Sequence, residues 1–109
     1  MLIDFNAMEA RTFTGMNGGH GEISAKMFMN GSGKVIVSRL KPGASIGLHT
    51  QATGNDINFV VSGRGRALCD GAEETLTPGV CHYCPKGSQH MIENTGSDDL
   101  LIYTVVQEI

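Results

Sequence analysis

The chain has 109 residues, of which 40% are hydrophobic and 17% charged, with a formal net charge of −3. That length fits one domain, and that composition excludes a disordered chain. Without a run of Lys or Arg there is no basic stripe to meet phosphates, so nucleic acid is not an expected partner. No apolar stretch approaches the roughly 20 residues that cross a bilayer. The start, Met1-Leu2-Ile3-Asp4, lacks the basic and then apolar order of a signal peptide. Three cysteines, Cys69, Cys81 and Cys84, make an odd count that suits a reducing, cytoplasmic setting better than a disulfide framework.

Along the chain, Ala7 to Arg11 has helical propensity but is too short to stand alone. Met16 to Glu22 is glycine-rich and reads as a loop. His20 within it is expected to be exposed, or to sit on a lid over a barrel mouth. Strand-like runs follow at Ser24–Asn30, Lys34–Leu40, Asp56–Ser62, Gly65–Asp70, Val80–Cys84 and Leu100–Val106. Turn dipeptides punctuate them: Asn30-Gly31, Pro42-Gly43, Asp70-Gly71, Pro78-Gly79 and Thr95-Gly96. Short strands at this spacing predict an all-β sandwich or barrel in a single domain spanning 1–109. Residues 1–33 supply N-terminal strands and a loop, and residues 34–109 supply the barrel.

Chemistry concentrates in two segments. His49 and Gln51 lie two apart on an expected strand and so share a face, and Asp56 follows after a short break. In the second segment a strand leads to the turn Pro85-Lys86-Gly87, then to His90 and Asn94. Asn58, two after Asp56, shares its face and is a candidate pocket residue. Cys81 and Cys84 resemble a C-x-x-C pair, but residues three apart on a strand point to opposite sides and cannot chelate one ion. His82 and Cys84 do share a face and are further pocket candidates, with a structural role favoured for His82. Met16, Met27, Met29 and Met91 read as core filler with pocket lining as the alternative. Phe59 and Tyr103 are expected in the core or at an interface.

These two segments resemble the paired motifs of the cupins. Gly43, His49, Asp56 and Gly63 keep the spacing of the first motif, with Gln51 in place of its second His and Asp56 in place of its Glu. The second motif is complete in Gly79, Pro85, Gly87, His90 and Asn94. The resemblance implies a double-stranded β-helix of two antiparallel sheets. It also implies a divalent metal held by His49, Gln51, Asp56 and His90, with iron, manganese, zinc and nickel all open. Two imidazoles and a carboxylate suit ferrous iron, whereas the Gln51 amide is a weaker donor and Asp56 reaches about 1.3 Å less than Glu.

Two functions follow as expectations. The first is a metal-dependent enzyme of oxygenase, isomerase or decarboxylase type acting on a small polar metabolite. The second is a non-catalytic module that binds or senses a sugar or organic acid, without metal. A homodimer is expected, with Phe28 and its neighbours at the contact.

Overall fold

The computed structural model describes residues 1–109 as ten strands with two short 3-10 turns. In chain order the strands are β1 (Arg11–Thr14), β2 (Glu22–Asn30), β3 (Gly33–Leu40), β4 (Ser45–Thr50), β5 (Gly54–Ser62), β6 (Gly65–Cys69), β7 (Ala72–Leu76), β8 (Cys81–Cys84), β9 (Gln89–Asn94) and β10 (Leu100–Glu108). All pairings are antiparallel. One sheet has the order β1-β2-β3-β10-β5-β8 and the other β4-β9-β6-β7, so the chain is all-β as expected. The 3-10 turns are Phe5–Ala7 and Met16–Gly18; the second sits inside the expected glycine-rich loop.

Alternation along the strands decides what enters the barrel. On β10, Leu100, Ile102, Thr104 and Val106 are buried, and on β5 Asp56, Asn58 and Val60 are. The buried set changes character along the barrel axis. Leu40, Val60, Ala67, Ile92, Leu100 and Ile102 belong to one apolar cluster that closes one end. Moving along the same strands toward the other end, Val60 gives way to Asn58 and Asp56, Ile92 to His90, and Ile102 to Thr104. One end is therefore a packed core and the other a polar interior.

Several turns were legible from glycine. Asp70 and Gly71 both have positive φ, 49° and 83°, which is the geometry a tight β6–β7 hairpin needs. The Gly19 and Gly47 positions work differently. A Cβ at Gly19 would meet Ser45 O at 2.1 Å, and one at Gly47 would meet Asn17 O at 2.2 Å. Only two glycines let the Met16–Gly18 turn lie flat on β4. His20, exposed as expected, is pinned beside β4 because Ser45 N donates to His20 O at 2.7 Å and His20 N donates to Ser45 Oγ at 2.9 Å.

Of the two places expected for Phe59 and Tyr103, core or interface, the core is ruled out: they are 49% and 42% exposed on the outer face of the six-stranded sheet. Asn94, which closes the second motif, is a structural staple. Its side chain donates to Leu40 O at 2.9 Å and to Asp98 O at 2.8 Å, and accepts from Gly96 N at 2.8 Å. Asn94→Ala orphans these groups beside the apolar core and should cost about 2–3 kcal/mol of stability. Urea denaturation checks this, and a loss below about 0.5 kcal/mol would show that water replaces the staple.

Candidate functional site

The polar end of the barrel holds a cavity of about 290 Å³. His49 and Gln51 enter from β4 and the residue just past its end, Asp56 and Asn58 from β5, His90 from β9 and Thr104 from β10. Gln51 thus follows the strand rather than lying on it as expected, yet it lines the same cavity as His49. β4 carries a bulge between Ile46 and His49, the kind of irregularity that re-aims a side chain next to a site. Lys34, Glu108, Met16, Met27 and Asn17 complete the polar and apolar walls. Among the candidate methionines, Met29 and Met91 are outside this lining. So are His82 and Cys84: neither of these pocket candidates lines the cavity, and the structural role favoured for His82 fits its place. Cys84 is shut behind the wall, its thiol against Ser88 O at 3.6 Å, and His82 lies directly behind His90.

The histidines form a chain. Gly47 O accepts from His49 Nδ1 at 2.8 Å. His49 Nε2 and His90 Nε2 are 3.1 Å apart, and Asp56 Oδ2 is 3.2 Å from His90 Nε2. On its other side His90 Nδ1 is 3.0 Å from His82 Nε2, and His82 Nδ1 is 2.6 Å from Glu74 Oε1. The His82 and His90 rings are stacked with an interplanar angle of 20°. Asn58 is held separately: Thr104 Oγ1 donates to its Oδ1 at 2.7 Å, and its Nδ2 donates to His82 O at 3.3 Å.

Burial sets the charges. Desolvation, with His49 and His82 alongside, pushes His90 down to about 4, so its contact with Asp56 is not an ion pair at neutral pH. Desolvation also raises Asp56, against the lowering effects of Asn58 and His49. Proton counting limits the choices. Gly47 O and the Glu74 carboxylate only accept, so His49 and His82 each carry a proton on Nδ1. With no second ring proton, His82 accepts on Nε2 from His90 Nδ1–H, and His49 Nε2, His90 Nε2 and Asp56 Oδ2 then meet as lone-pair atoms at 3.1–3.2 Å; with a second one, His82 donates to His90 Nδ1 and a His90 Nε2–H lies between the other two.

A proton on Asp56 or a cation would resolve that meeting. Donors on one divalent ion at roughly 2.0–2.2 Å stand about 3–3.5 Å from each other, so the pairwise spacing and the donor chemistry fit such an ion. As the side chains stand, however, no group of three or more His, Cys, Asp or Glu residues is arranged to hold a metal ion. The contacts are pairwise through His90.

The Cupin domain pattern matches residues 36–106, which is most of the chain and both motifs. The protein is a cupin. An oxalate-binding protein of Thermotoga maritima is 27% identical over 97% of this chain and 93% of its own length. A crystal structure from the same organism, described as a predicted oxalate decarboxylase, superposes with a TM-score of 0.94 at 24% identity, covering all of both chains. A Cupin 2 conserved barrel domain protein of Salinispora arenicola gives a TM-score of 0.71 at 26% identity, over 94% of this chain and 91% of that one.

Sequence reasoning missed Lys34, Glu108 and Glu74. Lys34 was within reach, since it shares the parity of Ile36 and Ser38 on β3. Glu74 was not, because its strand was not foreseen. The cysteines of this cupin behave as their faces dictate: Cys81 is exposed, while burial pushes the Cys84 thiol up to about 12. Iodoacetamide at pH 8 should leave Cys84 untouched in the folded protein and modify it once urea has unfolded the chain. Mass spectrometry of the peptides checks this, and equal rates at Cys84 with and without urea would contradict the burial.

Proposed function

We propose that this cupin binds a small carboxylic acid in the barrel cavity, through a divalent metal ion held by His49, Asp56 and His90 with the Gln51 amide oxygen as a fourth donor. The observation that carries the reading is the convergence of His49 Nε2 and Asp56 Oδ2 on His90 Nε2 at 3.1 and 3.2 Å, the spacing of donors that share one ion. The low position of His90 supports it, because a neutral imidazole is the ligating form. Two oxygen donors beside two imidazoles favour manganese or ferrous iron over zinc and nickel. When bound, the ion supplies a positive centre that accepts and polarises ligand oxygens. Lys34, the one basic side chain lining the cavity, is placed to pair with a carboxylate. The oxalate-binding relative, which covers nearly the whole chain, supports a small acid as the ligand.

A second reading is metal-free binding of a neutral polyol or sugar. It is favoured by the absence of a three-ligand cluster and by the fact that every buried polar side-chain atom has a partner within the protein. Asp56 would then repel acids. Metal analysis of protein purified without chelators, followed by thermal shift, separates the two. Small dicarboxylates should raise Tm only with Mn²⁺ or Fe²⁺ present, by about 2.7 kcal/mol of stabilisation at a hundred times Kd. Stabilisation by neutral sugars without metal would establish the second reading instead. His49→Ala and His90→Ala should each abolish metal binding, and Gln51→His should tighten it by restoring an imidazole. A Gln51→His protein that binds no better would contradict the assignment of Gln51. NMR of the acids during the same titrations reveals any turnover of oxygenase, isomerase or decarboxylase type.

We also infer a homodimer, in the reducing cytoplasm that three free thiols suit. On the outer face of the six-stranded sheet, Phe28, Val35, Val105, Ile57 and Tyr83 align across five strands. Lys26, Val37, Tyr103, Phe59 and Cys81 align in the next row. Lys26, at the β2 end, is the one charged residue of those two rows, so the middle of the face is uncharged and open to pairing with a second copy. Light scattering at micromolar concentration should give twice the 11.6 kDa chain mass. Tyr103→Lys should give the monomer; a monomeric parent would refute the dimer.

A further inference from the structure

Behind the cavity lies a pair of side chains outside its lining. His82, on β8, has a fully buried side chain and lies outside the cavity lining. Glu74, on β7, is 41% exposed at its side chain. β7 and β8 are edge strands of different sheets, and the Glu74–His82 contact at 2.6 Å crosses the seam between them. A histidine buried as core filler would be satisfied by any acceptor. This one is gripped by a carboxylate on one nitrogen and faces a second imidazole, stacked on it, with the other.

The order of donors is read from the outside inward. A carboxylate has no proton to give, so the proton between Glu74 and His82 belongs to His82 Nδ1. With that as its one ring proton, His82 offers Nε2 as an acceptor to His90 Nδ1, its partner at 3.0 Å, and the His90 proton sits on Nδ1, away from the cavity. We propose that Glu74 and His82 are positioning residues for His90: together they fix its ring and its tautomer so that the Nε2 lone pair faces the cavity beside His49 and Asp56.

The arrangement is a carboxylate–histidine pair acting on a third imidazole, and partners of this kind raise ligand basicity and hold ring orientation. It rests on the metal-site reading only for its consequence. The tautomer itself is a property of the metal-free chain. A purely structural contact across the seam would contribute stability yet leave the His90 proton free to occupy either nitrogen.

The decisive measurement is therefore spectroscopic. In uniformly ¹⁵N-labelled, metal-free protein at pH 7, two-bond ¹H–¹⁵N correlations report which imidazole nitrogen is protonated. His90 should show a protonated Nδ1 and a bare Nε2. A protonated His90 Nε2 in the parent protein overturns the proposal, whether or not metal binds. In Glu74→Ala and His82→Phe the His90 proton should redistribute toward Nε2. In Glu74→Gln, whose amide oxygen still accepts from His82 Nδ1–H, the parent tautomer should be retained. Glu74 is partly exposed, so its variants keep the test alive should His82→Phe fail to fold. If His90 keeps its Nδ1 proton in Glu74→Ala, the assignment of Glu74 is wrong.

Calorimetric titration with Mn²⁺ and Zn²⁺ supplies the second readout. Affinity should fall 10- to 100-fold in Glu74→Ala, the usual range for losing an outer partner, and recover most of that in Glu74→Gln. Unchanged affinity in Glu74→Ala would overturn the positioning role at the metal. A parent protein that takes up neither ion, while its His90 is protonated on Nδ1, refutes the metal reading and leaves the tautomer assignment standing.

Discussion

The polar end of this barrel depends on one buried imidazole. His90 is 1% exposed, on a strand with neighbours on both sides, and its two nitrogens reach partners from β4, β5 and β8. Those strands belong to both sheets, so a single ring ties the two layers together where no apolar core does. Burial holds that ring neutral, and the neutral ring has one proton for three neighbours. In the tautomer proposed above that proton goes outward to His82, and the cavity side then presents lone pairs from His49, His90 and Asp56.

Such an interior is costly unless each group is paired. The chain satisfies it with neighbouring polar residues: Thr104 serves Asn58, Asn58 serves the His82 carbonyl, and Glu74 serves His82. The apolar cluster at the opposite end carries the hydrophobic stabilisation, with Leu40 and Leu100 fully buried. Division of labour along the axis lets the site depart from the usual residues at positions 51 and 56 while the core beneath keeps the fold. Asn94 belongs to the second motif yet sits with the core, stapling the turn after β9. Its place in a site motif therefore reflects backbone geometry, while His90, four residues earlier on the same strand, faces the cavity.

Much of this was legible from alternation and turn chemistry. The parity of Asp56 and Asn58 correctly put both side chains in the interior, and the split of Cys81 from Cys84 followed from the same rule. Other features depend on contacts that no local pattern carries. Ala72–Leu76 contains two glutamates and little β-branching, so β7 reads as loop; it is a strand because it pairs with β6 across the Asp70-Gly71 hairpin. Without β7 there is no Glu74, and without Glu74 His82 looks like packing. The bulge in β4 and the approach of Gly19 to Gly47 are equally non-local, since each is defined by the segment lying against it. Phe59 and Tyr103 show the ambiguity of apolar strand residues: alternation assigns them to one of two faces, and only the sheet order shows which face is outside.

The charge balance of the cavity links its occupants. Lys34 is the one basic side chain in the lining, against Asp56 and Glu108, while His90 remains neutral. With both carboxylates ionised the empty cavity is net negative and unfavourable to an acid. Desolvation raises Asp56, so the metal-free protein can lessen that charge by holding a proton where the lone pairs meet. A divalent ion at the same place displaces the need for the proton and turns the cavity net positive, which then favours an anion. On the proposed reading acid and metal would support each other's binding, since each offsets the charge the other brings, and linkage requires such an effect to be reciprocal. The outer pair, Glu74 and His82, contributes no charge to the cavity through a neutral His90. It decides only which nitrogen faces the ion, and that choice determines whether His90 opposes the cation with a proton or receives it with a lone pair.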